Sequence, residues 1–323
     1  MGGEDSKPQA GGASKVTVVG AGLVGATSAY TIMARGLASE IVLVDIDRER
    51  AQGEAMDLNH ALSFAQPARI VAGDYEDAEG SDIAIIAAGA AQKAGESRLT
   101  LAGRNVEIVK DIVPRLEKAA PDAVLVVVSN PVDVLTYAAQ EVSRYPHERV
   151  LGSGTILDTS RFRFELGRRS GVDPRNIHAY IIGEHGDSEV PVWSLANIAG
   201  IRLRDYCPVC GKDCSDAELD QLFENVKTAA YQIIQFKGAT YYAIAMGVTR
   251  IVAAILRDEH SVMTVSTRID GTCGVRDVCL SLPTVVWRGG VREVVPLPLS
   301  ESEQAALEKS AQTLQEVLRS VGL

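Results

Sequence analysis

Four short apolar runs mark the first half of the chain: KVTVVG (15–20), EIVLVD (40–45), DIAIIAA (82–88) and AVLVVVS (123–129). Their β-branched residues follow one another with little polar interruption, the pattern of parallel strands buried on both faces. Between them, residues 22–36, 48–63 and 103–120 carry apolar positions at helical spacing, and Pro121 stops the last of these helices. Strand alternating with helix predicts a doubly wound parallel α/β domain over 15–152. Beyond residue 150 the rhythm changes. TILDTSRFRFELGRRSG (155–171) reads as a helix and NIHAYIIG (176–183) as a strand, and 216–257 is a long helical region interrupted by Gly238 and Gly247. SVMTVST (261–267) and DVCLSLPTVVW (277–287) read as strands, and an amphipathic helix from about 301 closes a mixed α+β domain over 153–323.

Composition narrows the class. The chain has 323 residues, 46% hydrophobic and 23% charged, enough for an ample core without staples. A formal net charge of -10 argues against a general affinity for nucleic acid or an anionic membrane, so an anionic ligand must be held by specific residues. The opening MGGEDSKPQAGGAS (1–14) lacks an apolar signal region and reads as a disordered tail or expression remnant. No stretch approaches the roughly 18 apolar residues of a membrane span, so a soluble cytoplasmic protein is expected. The odd set of Cys207, Cys210, Cys214, Cys273 and Cys279 argues for reduced thiols. CPVCGKDC (207–214) could open a metal site, yet only Cys273 or Cys279 could complete four ligands. A surface connector with free thiols and no metal is the expected reading.

GAGLVG (20–25) is a G-x-G-x-x-G that follows a strand and opens a helix, with Asp45 at the end of the second strand. That context makes it the fingerprint of a Rossmann-type dinucleotide site. Gly20 makes the turn, Gly22 admits a pyrophosphate to the helix N-terminus, and Gly25 lets helix and strand pack. Asp45 would accept the adenosine ribose hydroxyls and repel a 2′-phosphate, which favours NAD over NADP.

Two further segments carry chemistry. GEHGDSEVPVWS (183–194) sets His185 between glycines at the end of an apolar strand, where a histidine serves equally as a satisfied structural group or as a reactive one. LDTSRFR (157–163) changes the weighing. Asp158 and Arg161, three apart on a helix, share a face and offer a carboxylate for a histidine and a guanidinium for a substrate carboxylate. The loop AGAAQKAGESRLTL (88–101) leaves a buried strand carrying Gln92, Lys93, Glu96 and Arg98 among glycines, more than a plain hinge requires.

GAGLVGA, AGAAQKAGESRL, VSNPVDVLTY, GSGTILDTSRFR, GEHGDSEVPVWS and KGATYYAIAMG occur in that order, and from residue 15 to its end the chain resembles the NAD-dependent L-lactate dehydrogenases of the bacterial allosteric type. The resemblance implies reversible reduction of pyruvate to L-lactate by NADH, a place in glycolysis and lactate fermentation, and a homotetramer. It implies that His185 is the general acid/base, Asp158 its partner, Arg161 the carboxylate clamp, Arg98 the loop residue that polarises the carbonyl, and Asn130 an added donor. Thr240 would line the substrate pocket. Val24, Arg50, Tyr75, Gly89, Ala90, Val128, Asn130 and Ser153 fall where the family contacts NAD.

The chemistry agrees. Reduction needs a proton on His185 when pyruvate binds, which an ionised Asp158 favours, and Arg98 acts best once its loop has excluded water. Gln92 faces the far substituent of the keto acid. Malate dehydrogenases carry Arg at the matching position, and a neutral amide cannot pair with a second carboxylate, so pyruvate is expected. Arg163, about 200° round the helix from Arg161, points elsewhere. With His178 in the neighbouring strand it falls where allosteric members bind fructose 1,6-bisphosphate, the alternative being a surface salt bridge and a solvated histidine. Other 2-hydroxyacid dehydrogenases, malate above all, are the competing enzymatic reading. A retired dehydrogenase fold used for structure or binding would tolerate loss of His185, Asp158, Arg98 or Arg161, and all four are present.

Overall fold

The computed structural model describes residues 14–90, 98–211 and 214–323, without the side chains of residues 98 and 208–210. Apart from Ser14, the expected N-terminal tail lies outside the described residues. The first part runs β1 (Lys15–Val19), α1 (Leu23–Ala34), β2 (Glu40–Val44), α2 (Arg48–Ala61), β3 (Arg69–Ala72), β4 (Ile83–Ile86), α3 (Arg98–Ala119), β5 (Val124–Val127), α4 (Val132–Val142) and β6 (Val150–Gly152). There follow α5 (Ile156–Ser170), β7 (Ile177–His178), β8 (Ile181–Ile182), β9 (Val190–Pro191), β10 (Asn197–Ile198), β11 (Ile201–Arg202), α6 (Leu203–Cys210), α7 (Asp216–Lys237) and α8 (Tyr242–Leu256). β12 (Ser261–Asp270), β13 (Arg276–Trp287), β14 (Gly290–Val294) and α9 (Glu301–Ser320) complete the chain.

One sheet organises the molecule, in the order β14-β13-β12-β6-β5-β4-β1-β2-β3. β1 to β6 are parallel, and the apolar runs alternate between two cores. Val16, Val18, Ile41, Leu43, Ile83 and Ile85 pack on one face, while Val19, Val42, Val44, Ala84 and Ile86 pack on the other. Burial on both faces is what removed polar alternation from the sequence. The order reverses between β4 and β1, so the loops leaving those strands diverge and open a crevice at their carboxyl ends.

The structure departs from the sequence reading at several points. β12 to β14 extend the first sheet, joining through the pair Ser266 and Gly152, so the later strands share the early core. α4 was not expected: residues 132–140 are all buried, and the polar stripe of Asp133, Thr136 and Gln140 at helical spacing faces protein instead of solvent. α3 begins at Arg98 and runs through Pro114. NIHAYIIG is two short strands, β7 and β8, in different sheets. Gly238 ends α7 at φ 84°, but Gly247 interrupts nothing: a Cβ there would lie 3.1 Å from Ile156, so the glycine seats α8 against α5.

The expectation of free thiols is corrected at one place. Cys207 is buried with Leu203, Leu219 and Leu222, and this packing of α6 on α7 joins it in a disulfide to Cys214, their Cα atoms 6.1 Å apart. Cys273 and Cys279 are free. Among the described residues, no helix is long and apolar enough to cross a membrane.

α9 is anchored by its first turn. Ser300 and Glu303 form a capping box, and the buried Glu303 carboxylate also accepts the Ser194 N–H at 2.9 Å and the Ser194 hydroxyl at 2.6 Å. Burial opposes the charge of Glu303, but these bonds hold its carboxyl below the usual range. Glu303→Ala orphans three donors and is expected to cost roughly 2 to 4 kcal/mol at neutral pH, read as a lower urea midpoint. Because the native-state pKa is depressed, this contribution is present above the unfolded carboxyl pKa and fades as pH falls through the native one. An unchanged midpoint at pH 7, or a gap that widens in acid, would contradict the assignment.

Candidate active site

The glycine turn after β1 is built as a cradle. Gly20 sits at φ 102°, and a Cβ on it would lie 2.5 Å from the Ala88 nitrogen. A Cβ on Gly25 would lie 1.8 Å from the Gly20 oxygen, so α1 docks only with glycine there. A Cβ on Gly22 would meet nothing within 4 Å among the described residues, and none of their side chains caps the start of α1. Such an N-terminus, with its N–H groups unclaimed by a cap, suits a pyrophosphate. Asp45, leaving β2, accepts the Ala21 N–H at 2.6 Å and the Asp47 N–H at 2.9 Å, so its half-buried carboxylate borders the same turn. These residues fit an adenine dinucleotide.

The remaining candidates line the same edge. Val24 is half-buried on α1, Arg50 exposed on α2, and Tyr75 stacks against Arg115, whose guanidinium carbon is 5.3 Å from the ring centroid. Gly89 and Ala90 leave β4, Val128 and Asn130 leave β5, and Ser153 leaves β6, its N–H on the Val127 carbonyl at 2.8 Å. Asn105 of α3 ties two of these exits together. Its side chain accepts the Ala90 N–H and donates to the Asn130 carbonyl, both at 2.7 Å.

At the mouth of the crevice three side chains form one bonded chain. His185 Nδ1 lies 2.5 Å from one Asp158 oxygen, and Arg161 Nη1 donates to the other at 2.9 Å. One turn of α5 supplies the carboxylate and guanidinium, and the segment between β8 and β9 supplies the imidazole. Asp158 is buried, Arg161 nearly so, and the His185 side chain is 26% exposed. Burial disfavours the imidazolium, but the Asp158 carboxylate overrides it with help from Asp133 and Glu189, lifting the His185 pKa to about 9. Burial likewise opposes the charge of Asp158, yet His185 and Arg161 hold its carboxyl below the usual range.

Three buried polar residues beside this chain were not singled out from sequence. Asp133, at the start of α4, accepts the His185 backbone N–H at 2.7 Å. Glu189 is buried, with Oε1 lacking a hydrogen-bond partner among the described residues. Burial, then the neighbouring Asp158, pushes its carboxyl up to about 8 against the pull of His185, Arg161 and Lys227. Asn105 occupies a position in the apolar stripe of α3 between Ala102 and Val109. Asn105 sits on an otherwise apolar stripe of α3 and Asp133 between two valines; Glu189, after Asp187 and Ser188, carried no such signal.

Gln92, Lys93 and Glu96 lie outside the described residues, as does the Arg98 side chain. Thr240 is half-buried in the connector between α7 and α8. Arg163 faces away from His185, as the helical angle required. Its Nε donates to the Ala179 carbonyl at 3.0 Å and its guanidinium carbon lies 5.4 Å from the centre of the Tyr180 ring. His178, next to Ala179, is exposed.

The lactate/malate dehydrogenase NAD binding domain matches residues 14–152 of the chain, and the lactate/malate dehydrogenase alpha/beta C-terminal domain matches residues 155–321. An L-lactate dehydrogenase of Acetivibrio thermocellus is 52% identical over 309 residues, 96% of this chain and 98% of that protein. One from Thermoanaerobacter pseudethanolicus is 51% identical over 310 residues, 96% of this chain and 100% of that protein. Among solved structures, the minor L-lactate dehydrogenase from Enterococcus mundtii superposes with a TM-score of 0.93 at 41% identity, covering 96% of this chain and 99% of that one. A lactate dehydrogenase from a Medee basin deep-sea metagenome library gives 0.93 at 43%, with the same coverage.

Proposed function

The chain belongs to the lactate/malate dehydrogenase family of NAD-dependent oxidoreductases, and from that premise we propose that it is an L-lactate dehydrogenase, reducing pyruvate reversibly with His185 as proton donor. The observation that carries this reading is the bonded chain of His185, Asp158 and Arg161 at the mouth of the dinucleotide crevice. Residues 15–152 form the NAD-binding half and 153–323 the substrate half.

Bound NADH supplies the hydride, in the crevice bordered by Gly20, Gly22, Gly25 and Asp45. With Nδ1 committed to Asp158, His185 presents Nε2 to the substrate oxygen and delivers its proton there. The raised pKa keeps that proton in place at neutral pH. Arg161 spends one nitrogen on Asp158 and offers Nη2 to the substrate carboxylate. Arg98 stabilises the charge that develops on the oxygen, Asn130 adds a donor, and Thr240 lines the pocket. Gln92 faces the pyruvate methyl. Val24, Arg50, Tyr75, Gly89, Ala90, Val128 and Ser153 complete the NAD site. A cytosolic, glycolytic enzyme follows, since its cosubstrate belongs to the intracellular pool.

Arg163 and His178 form the second part of the reading, a fructose 1,6-bisphosphate site where subunits of a homotetramer meet. In support, Arg163 is half-buried and its contacts are a carbonyl and an aromatic ring, with no carboxylate partner among the described residues. Burial presses on its charge, which a phosphate would compensate.

Initial rates of NADH oxidation test the first part. Wild type is expected to prefer pyruvate to oxaloacetate. Gln92→Arg is expected to move the ratio of kcat/KM values toward oxaloacetate by at least about tenfold, the worth of one charge-assisted pair. A wild type inactive on pyruvate, or a ratio indifferent to the substitution, would overturn the reading.

Pyruvate titrations with and without fructose 1,6-bisphosphate test the second part. The effector is expected to lower the apparent KM of wild type, and Arg163→Leu combined with His178→Ala to abolish that response while sparing basal turnover. A double variant that is still activated would refute the site.

A further inference from the structure

We infer that Asp133 is a positioning residue for the reaction, its carboxylate fixing where the His185 imidazole stands by holding the His185 backbone N–H. The inference rests on His185 being the proton donor.

The segment that carries His185 has freedom to lose. Gly183 sits at φ 86° on one side and Gly186 follows on the other, so the backbone at 185 is not confined by its own sequence. Three elements pin it: Gly183 exchanges backbone bonds with Ser281 of β13 at 2.8 and 2.9 Å, and α9 and α4 each add a side chain. The Ser310 hydroxyl of α9 takes the Glu184 N–H at 2.9 Å, and Asp133 Oδ2 takes the His185 N–H at 2.7 Å. Asp133 is 2% exposed, on the first turn of a helix whose opening nine residues are all buried. It stands three residues after Asn130, where β5 delivers the chain to the crevice edge. One bond therefore ties the proposed acid to the dinucleotide side of the site.

Stability alone does not account for a carboxylate here. Oδ1 of Asp133 is buried without a hydrogen-bond partner among the described residues, and the nearby Ser266 hydroxyl favours the carboxylate's charge without closing a bond to it. A half-satisfied buried acid costs more than an amide or an apolar side chain in the same space. What the acid adds is a strong acceptor for one N–H and a negative charge near the imidazole. Asp133 faces His185, Glu184 and Cys279, while His185 faces Asp158 and Glu189 besides Asp133. Burial pushes the Asp133 carboxyl up to about 6 against the pull of Ser266 and His185, and in its ionised form it favours the imidazolium.

Two variants and a reference test this. Asp133→Ala removes the acceptor and is expected to lower kcat for pyruvate reduction at least about tenfold, the worth of a charge-assisted bond, while the Kd for NADH changes much less. Asp133→Asn keeps an acceptor oxygen but not the charge. It is expected to restore most of kcat, while the alkaline limb of kcat/KM for pyruvate moves to lower pH, because the imidazolium has lost an anionic neighbour. His185→Gln serves as reference and is expected to suppress turnover by orders of magnitude. Asp133→Ala with wild-type kcat and only a lower urea midpoint would overturn the inference. If Asp133→Ala fails to fold, an Asp133→Asn alkaline limb at the wild-type pH would overturn it. Near-normal turnover by His185→Gln would instead bring down the proton-donor reading itself, and the inference with it.

Discussion

The site depends on a histidine kept charged in a place that disfavours charge. Taken out of water, an imidazole gives up its proton more readily, and only a close anion reverses that tendency. The Asp158 oxygen 2.5 Å from Nδ1 does so, and Arg161 on the other oxygen prevents the carboxylate from taking the proton itself. Around the two cations lie three acids, Asp158, Asp133 and Glu189. Were all three ionised, the pocket would carry an unpaired negative charge and would repel an anionic substrate. Burial eases the imbalance by pushing the Glu189 carboxyl up, toward its neutral form, while His185 and Arg161 hold the Asp158 carboxyl down.

The sheet exists to make these groups meet. Parallel strands β1, β4, β5 and β6 send the glycine turn, Ala90, Asn130 and Ser153 to a single edge, and the reversal between β4 and β1 opens the crevice they border. α5 leaves that edge with Asp158 and Arg161 on one face and Arg163 on another. Asn105 and Asp133 bind the exits to one another and to the His185 segment, so the positions of the reacting groups are set by buried helices. A pocket built this way holds its geometry because moving one side chain would strand the donors or acceptors of another.

Much of this was legible before any coordinates. The glycine spacing, Asp45 and the four apolar runs follow local rules, and the i, i+3 pair of Asp158 and Arg161 needs only a helix. What stayed hidden is non-local. Joining β12 to β6 is a choice of partner that no segment announces in its own pattern. α4 carries a polar stripe at helical spacing, Asp133, Thr136 and Gln140, but all three are buried, so the stripe marks contacts inside the protein and not a solvent face. Asp133 lies between two valines and Asn105 on the apolar stripe of α3, while Glu189 follows Asp187 and Ser188 in a polar loop, and the meaning of all three lies in the groups across from them. Cys207 and Cys214 read as thiols by compartment and count, whereas their pairing follows from how α6 packs on α7. Gln92 and the Arg98 side chain, to which the proposed function gives substrate choice and carbonyl polarisation, are readings of the sequence.

The charge state of His185 is directly observable. With histidine labelled at the ring carbon, and the His185 signal assigned by its loss in His185→Gln, an NMR titration of the free enzyme reads its proton affinity without any turnover. The expected result is a midpoint at about 9 that falls toward the ordinary imidazole range in Asp158→Asn. A wild-type midpoint at the ordinary imidazole value, or one indifferent to the loss of the Asp158 charge, would contradict the claim that this buried carboxylate keeps the proton in place.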